Sequence, residues 1–327
     1  MRIAINGFGR IGRTILRQIL TRTDCAGIEV ASINDIAPLD TCAYLFRYDS
    51  VFGPFQDAVT AGPGRLGVGD RAIPFTSKHD LGALDLSGVD VVLECTGTVG
   101  TREGAARGLS AGARNVLISG PCDAAERTLV IGANEDTLGD ARIVSNASCT
   151  TNALAPLLRA IHDDRGIARG HTTTIHCYTG SQPMVDAPRG DLARSRAGAL
   201  SMVPTTSSAT RLVGRVLPAL EGRITGAAVR VPVASVSAID AVLTLERPLE
   251  GDPKDLLRRI ATASPVIGAI DDPCVSSDLR ARPESLVIAL PETLSADPHQ
   301  VRVFGWYDNE WGFSARMIDM ARAMAAR

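Results

Sequence analysis

The sequence predicts two domains of different kinds: an α/β domain on a parallel sheet, then an α+β domain on a mainly antiparallel sheet. Three observations carry this. Before residue 148, short continuous apolar runs such as Ile3-Ala4-Ile5 and Val91-Val92-Leu93 alternate with helical patterns, as expected of parallel strands buried on both faces. After residue 171 the texture changes to longer, alternating β-rich stretches at 172–178, 223–231, 236–245, 285–290 and 301–307, with helical segments near 208–220 and 253–263. And 327 residues are enough for about two cores. Aromatic residues make up only 4% of the chain, so those cores are built mostly of Ala, Val, Ile and Leu. The first domain spans 1–148, the second 149–312, and an amphipathic terminal helix over 313–327 is expected to pack back on the first.

Charge and cysteine usage exclude several classes. The formal net charge is −2 with no block of like charges, which leaves nucleic-acid or membrane-surface binding without electrostatic support. The longest apolar runs fall short of a membrane span, and the N-terminal one is too short for a signal peptide. Seven cysteines stand at 25, 42, 95, 122, 149, 177 and 274, with no Cys-x-x-Cys spacing. That pattern argues against a disulfide framework or a structural zinc site, so no metal is expected. It fits a reducing, cytoplasmic setting.

Taken in order, the chain begins with a strand that meets a glycine turn at once. Gly7-Phe8-Gly9-Arg10-Ile11-Gly12 matches G-x-G-x-x-G, and Ile11, Ile15, Leu16, Ile19 and Leu20 follow at helical spacing. Strand, turn and helix are the context in which such glycines let the backbone approach a pyrophosphate resting on the helix N-terminus. The second strand ends in Asn34-Asp35, with Asp35 placed 23 residues beyond Gly12. An acid there accepts hydrogen bonds from an adenosine ribose and repels a 2′-phosphate, which favours NAD over NADP. A Rossmann-type nucleotide-binding domain follows from this pair of features. Glycines 62, 64, 67 and 69 mark a hairpin excursion. Later strands end at Cys95-Thr96-Gly97 and Ser119-Gly120-Pro121, and small residues at the carboxyl ends of parallel strands are where a cofactor lies. Thr96, Gly97 and Ser119 are therefore candidate cofactor contacts.

The middle of the chain carries a different chemistry. A strand over 141–144 leads into Ser145-Asn146-Ala147-Ser148-Cys149-Thr150-Thr151-Asn152, and a helical run follows from Ala153. Cys149 thus lies at a strand-to-helix turn among residues suited to N-caps. The free N–H groups of a helix start stabilise a thiolate and are expected to lower the thiol pKa. Residues 178–202 form a long segment rich in Gly, Pro, Ser and Arg, and loops that long are usually functional or interfacial.

These motifs together resemble the phosphorylating (type I) glyceraldehyde-3-phosphate dehydrogenase family. The resemblance rests on Asn6 to Arg13, on Ser145 to Asn152, on His176-Cys177-Tyr178-Thr179, on Arg230-Val231-Pro232 and on Trp306-Tyr307-Asp308-Asn309-Glu310-Trp311-Gly312. It implies a cytoplasmic, NAD-dependent homotetramer of glycolysis that oxidises a small phosphorylated aldehyde and takes up inorganic phosphate. Cys149 would be the nucleophile and His176 its base. Gly7, Gly9, Arg10, Ile11, Gly12, Asp35, Lys78, Thr96, Gly97, Ser119 and Asn309 would hold the cofactor, Asn309 through the nicotinamide carboxamide. Thr179 and Arg230 would meet the substrate phosphate, with Ser181 beside them. Ser148, Thr150, Arg194, Ser207 and Ser208 would form the site of the attacking phosphate.

The chain departs from the family pattern at Ser181, where an acid is usual, at Ser207-Ser208, at Ala193 and at Lys78. Most of these lie near the anion sites. They leave open erythrose-4-phosphate dehydrogenase as the nearest alternative, and arsenate in place of phosphate as acyl acceptor. A catalytically idle NAD-binding relative would lack one of Cys149, His176 or Asn309, and all three are present.

Overall fold

The computed structural model describes residues 1–327, which divide into two compact units. One comprises residues 1–129, 135–147 and 314–327; the other comprises 130–134 and 148–313.

The first unit is built on a nine-stranded sheet. In chain order its elements are β1 (Arg2–Asn6), α1 (Arg10–Thr21), β2 (Glu29–Asn34), α2 (Leu39–Arg47), β3 (Val59–Gly62), β4 (Arg65–Val68), β5 (Arg71–Thr76), β6 (Val91–Glu94), α3 (Arg102–Ser110), β7 (Asn115–Ile118), β8 (Arg127–Thr128) and β9 (Ile143–Ser145). The strand order is β3-β4-β5-β2-β1-β6-β7-β9-β8. All pairs from β5 to β8 are parallel. Apolar residues of β6 and β7 are buried without exception, because helices cover a parallel sheet on both faces. The glycine-rich excursion is a three-strand meander rather than a hairpin: β3 and β4 pair antiparallel, as do β4 and β5, and β5 then joins the parallel sheet beside β2. Its short strands gave little periodicity from which to see the third.

The second unit begins with α4 (Cys149–Arg165) and continues with β10 (Ile167–Cys177), β11 (Val203–Thr205), α5 (Ala209–Val216), β12 (Ile224–Val231), β13 (Ser237–Leu245), α6 (Pro253–Ala263), β14 (Ile267–Ile270), β15 (Leu286–Ala289) and β16 (Gln300–Tyr307). A last helix, α7 (Trp311–Ala325), closes the chain. The seven-stranded sheet has the order β11-β12-β10-β13-β16-β15-β14 and is mainly antiparallel. Two pairs, β10 with β12 and β14 with β15, are parallel.

Two differences from the sequence expectation bear on the site. α4 starts at Cys149 rather than at Ala153, with Ser148 as its N-cap. Pro156 lies inside it, and the break that a proline suggests does not occur. And β10 starts five residues earlier than its alternating part, at Ile167, because Arg169 and Gly170 pair with β13 even though glycine disfavours strands.

Candidate active site

In the second unit, Ser148 caps α4: its Oγ accepts the Thr151 N–H at 3.1 Å and lies 2.7 Å from the Thr151 hydroxyl. Cys149 is the first helical residue, half-buried. Its Sγ lies 3.5 Å from His176 Nε2. His176 is the tenth residue of β10, 5% exposed. Thiol and imidazole are thus within interaction distance, each supplied by a regular element.

What holds that spacing is a buried tyrosine. The Tyr307 hydroxyl, at the end of β16, lies 2.9 Å from Thr150 Oγ1 and 2.8 Å from Thr174 Oγ1. Thr150 follows the cysteine and Thr174 precedes the histidine by two. Thr174 also donates to Ala238 O at 3.1 Å. The Tyr307 ring meets His176 edge-on, with centroids 6.0 Å apart. So one side chain ties the helix start to the strand end.

The electrostatics differ from the sequence expectation in one respect. Burial pushes the Cys149 thiol up, and this outweighs the lowering by Arg230 and by the hydrogen bonds of Thr150 and the helix start. A helix terminus alone does not ionise this cysteine. Burial, followed by the charge of Arg230, takes His176 down to about 4. His176 Nδ1 lies 2.7 Å from Cys177 O and 2.7 Å from Arg230 Nη1. These contacts demand opposite things: the carbonyl needs a proton on Nδ1, the guanidinium a lone pair. Arg230 Nη1 also donates to Cys177 O at 3.0 Å.

The other anion-site candidates fall into two groups. Thr179 and Ser181 share a hydrogen bond of 3.0 Å, so Ser181 faces Thr179, and Arg230 lies against His176 instead of a carboxylate. Arg194 sits in a short helical turn, its N–H held by Asp191, and burial, with a smaller contribution from the Arg194 charge, lowers the Arg230 pKa. Ser207 Oγ accepts the Ala209 N–H at 3.1 Å at the start of α5, and Ser208 is its exposed N-cap. The Thr150 hydroxyl, by contrast, is buried on Tyr307. Its side chain is therefore structural here, and only its backbone remains for an anion.

In the first unit the glycine turn has the shape its sequence implies. Gly7 has φ +91°, and a Cβ there would meet the Cys95 carbonyl carbon at 2.7 Å; one on Gly12 would meet Gly7 O at 2.1 Å. A Cβ at Gly9 would stand in open space. Asp35 is fixed at the end of β2, accepting the Phe8 N–H at 2.6 Å and the Ala37 N–H at 2.8 Å. Arg10 Nη1 pairs with buried Asp49 at 2.6 Å, so its guanidinium serves the fold. Gly97 has φ +70°, Thr96 bonds Glu94, Ser119 N–H bonds Glu94 O, and Lys78 is exposed at its side chain while its backbone N–H bonds Asn34.

Residues 148–309 match the family described as glyceraldehyde 3-phosphate dehydrogenase, C-terminal domain, and residues 1–102 match its NAD binding domain. The chain belongs to the glyceraldehyde-3-phosphate dehydrogenase family. A glyceraldehyde-3-phosphate dehydrogenase of Cereibacter sphaeroides is 47% identical over 330 residues, covering 99% of this chain and 98% of its own. One of Xanthobacter flavus is 45% identical over 335 residues, with the same coverage. One of Pseudomonas aeruginosa is 45% identical over 331 residues, covering 100% and 98%. As a member of that family the chain is an NAD-dependent oxidoreductase.

The residues of the first unit fit this cofactor. α1 is preceded by Gly9 at its N-cap, with no side chain capping it and no acid in its first turn, which leaves its positive end for a pyrophosphate. A side chain at Gly7 or Gly12 would collide with backbone. Beneath the turn lies a buried polar network that the sequence reading passed over. Asn6 Nδ2 donates to Glu94 Oε2, Asn34 Nδ2 donates to Asn6 Oδ1, and Asn34 Oδ1 accepts from Thr76 Oγ1 and the Lys78 N–H. Asn6, Asn34 and Glu94 are the last residues of β1, β2 and β6. A polar residue ending each apolar strand was the available signal. No helix of the chain is long and apolar enough to cross a membrane.

Tyr307→Phe removes the hydroxyl partner of Thr150 at a buried site. It is expected to lower stability by about 1–3 kcal/mol, read as the shift in urea midpoint. An unchanged midpoint would show that these bonds contribute nothing net.

Proposed function

We propose that this protein oxidises glyceraldehyde 3-phosphate to 1,3-bisphosphoglycerate through a thioester on Cys149, with inorganic phosphate as acyl acceptor. The observation that carries the reading is the 3.5 Å approach of Cys149 Sγ to His176 Nε2 in a chain of this family. Neither group ionises easily alone, since burial opposes both charges. Moving the thiol proton to Nε2 creates both charges at once, as a pair. At 3.5 Å their attraction is about 5 kcal/mol at an effective dielectric of 20, and the pair titrates as a unit.

The base-competent imidazole carries its proton on Nδ1, given to Cys177 O, with Nε2 turned to the thiol. Arg230 at 2.7 Å from Nδ1 opposes that form. A substrate phosphate that draws Arg230 toward Thr179 relieves the opposition, so binding and activation act together. The Cys149 thiolate then attacks the aldehyde carbon, the His176 imidazolium gives its Nε2 proton to the alkoxide that forms, and the imidazole, neutral again, takes that hydroxyl proton back from the thiohemiacetal in the oxidation. NAD, when bound, would supply the two-electron oxidation as the hydride acceptor for that carbon. It would be held by the glycine turn, Asp35, Thr96, Gly97, Ser119 and Asn309. His176, now an imidazolium, polarises the thioester carbonyl. Phosphate held by Ser148, Arg194, Ser207 and Ser208 attacks it, the C–S bond breaks, and the acyl phosphate leaves Cys149 as the thiolate.

A homotetramer is the proposed assembly. Residues 178–202 carry Met184, Val185, Leu192, Leu200 and Met202 as exposed apolar side chains, Leu192 at 89%. Such a concentration fits burial against other copies of the chain. Seven free thiols fit a cytoplasmic setting.

The deciding experiment compares kcat/KM for glyceraldehyde 3-phosphate and erythrose 4-phosphate with phosphate, with arsenate and with neither. A phosphate-dependent preference for the triose is expected. A tetrose preference without need of an acceptor, or a preference for arsenate, would replace this reading with the corresponding alternative. For the base, His176→Asn removes the partner charge and leaves a buried thiol whose pKa is raised. Thiolate is lost as pH falls through that pKa, so the alkylation rate of Cys149 is expected to shift its inflection to higher pH than in the unaltered enzyme. An unmoved inflection would remove His176 from the ionisation. Light scattering is expected to give four times the chain mass, with dissociation in Leu192→Asp; a monomer in the unaltered protein would end the tetramer proposal.

A further inference from the structure

Cys177 follows the catalytic-strand histidine and is completely buried. Its thiol donates to Asn309 Oδ1 at 3.1 Å. The Ser237 hydroxyl, at the start of β13, donates to the same oxygen at 3.3 Å. Ser237 Oγ in turn accepts the Cys177 N–H at 3.1 Å. The three groups form a closed bracket in which both side-chain donors converge on one atom of the Asn309 amide. The backbone on either side is fixed separately: Asp308 accepts the N–H groups of Ala281, Glu310 and Trp311 at 2.8, 3.0 and 2.8 Å.

An asparagine amide has two flips of nearly equal shape but opposite polarity. Packing distinguishes them poorly; hydrogen bonds distinguish them well. Here two donors on Oδ1 select one flip. Burial pushes the Cys177 thiol up to about 12, so the sulfur keeps its proton and stays a donor. A deprotonated sulfur would repel Oδ1. We propose that Cys177 is a positioning residue that, with Ser237, locks the Asn309 amide in a single flip and so fixes the orientation in which a nicotinamide carboxamide is received. This rests on the reading of Asn309 as the carboxamide anchor. It gives a chemical use to a thiol that is too buried and too weakly acidic to serve as a second nucleophile or redox group.

The test uses the full-length enzyme with Cys177→Ala, Cys177→Ser and Asn309→Ala, each checked for an unaltered circular dichroism spectrum. Cys177→Ala is expected to raise the NAD dissociation constant roughly three- to tenfold, the effect of one lost neutral hydrogen bond. The KM for the aldehyde should stay the same. Cys177→Ser keeps a donor and is expected to recover part of the loss. A second readout follows the stereochemistry: with a C1-deuterated aldehyde, NMR of the reduced cofactor should show transfer to one face in the unaltered enzyme and leakage to the other in Cys177→Ala. If Asn309→Ala weakens NAD binding while Cys177→Ala changes neither affinity nor stereochemistry, Cys177 is not a positioning residue. The same follows if folded Cys177→Ser loses as much as Cys177→Ala. If Asn309→Ala itself leaves both readouts unaltered, the anchor reading falls, and the inference falls with it.

Discussion

The chemistry in the second unit depends on a hydroxyl bridge that never touches a reacting atom. Tyr307 reaches Thr150 and Thr174 with one oxygen and so fixes a helix start against a strand end. A thiol and an imidazole 3.5 Å apart are within reach of the proposed proton transfer; the same groups an ångström or two further apart would not be. Neither α4 nor β10 sets that distance alone. The helix is anchored by its cap and the strand by its ladders with β12 and β13, and the tyrosine couples the two. Burial excludes water that would compete for the threonine hydroxyls, and it holds Tyr307 protonated by driving its pKa upward.

The same burial creates an electrostatic problem that the arrangement turns to use. A dry site disfavours an isolated thiolate and an isolated imidazolium alike, and the directions of both shifts reflect it. It disfavours the adjacent pair far less, because the pair is neutral overall. Arg230 adds a third charge. While it lies against Nδ1 it makes protonation of His176 harder, and an anion that occupies it makes protonation easier. Ser181 carries no charge, and its hydroxyl is engaged with Thr179.

What could be read from the sequence was what is local. The glycine turn, Asp35 and the cap before Cys149 are fixed by spacings of a few residues, and each acts through backbone geometry that a short motif specifies. His176, Arg230 and Asn309 lie on three separate strands or their ends, and only the resemblance joined them to Cys149. The brackets around them were not legible at all. Tyr307 meets Thr174 and Ser237 meets Asn309 because β13 pairs with both β10 and β16 in a particular register. A one-residue slip would turn each side chain to the other face. No pattern of hydrophobicity within one strand announces that register. The sequence also misjudged Cys149, because a helix N-terminus is visible in a motif and burial is not.

The two units therefore resist change in different ways. In the first, the glycine turn is backbone held where side chains cannot fit: Gly7 and Gly12 have no space for a Cβ, and Asp35 is pinned by two N–H groups. Its requirements are set by backbone geometry and do not turn on the protonation of any side chain in the turn. In the second, function depends on side chains whose protons have only one workable arrangement. Cys177 must donate for Asn309 to be fixed, and Nδ1 of His176 must choose between Cys177 O and Arg230. Each group's role is set by its neighbours' protonation, so substitutions there couple even where their side chains never meet.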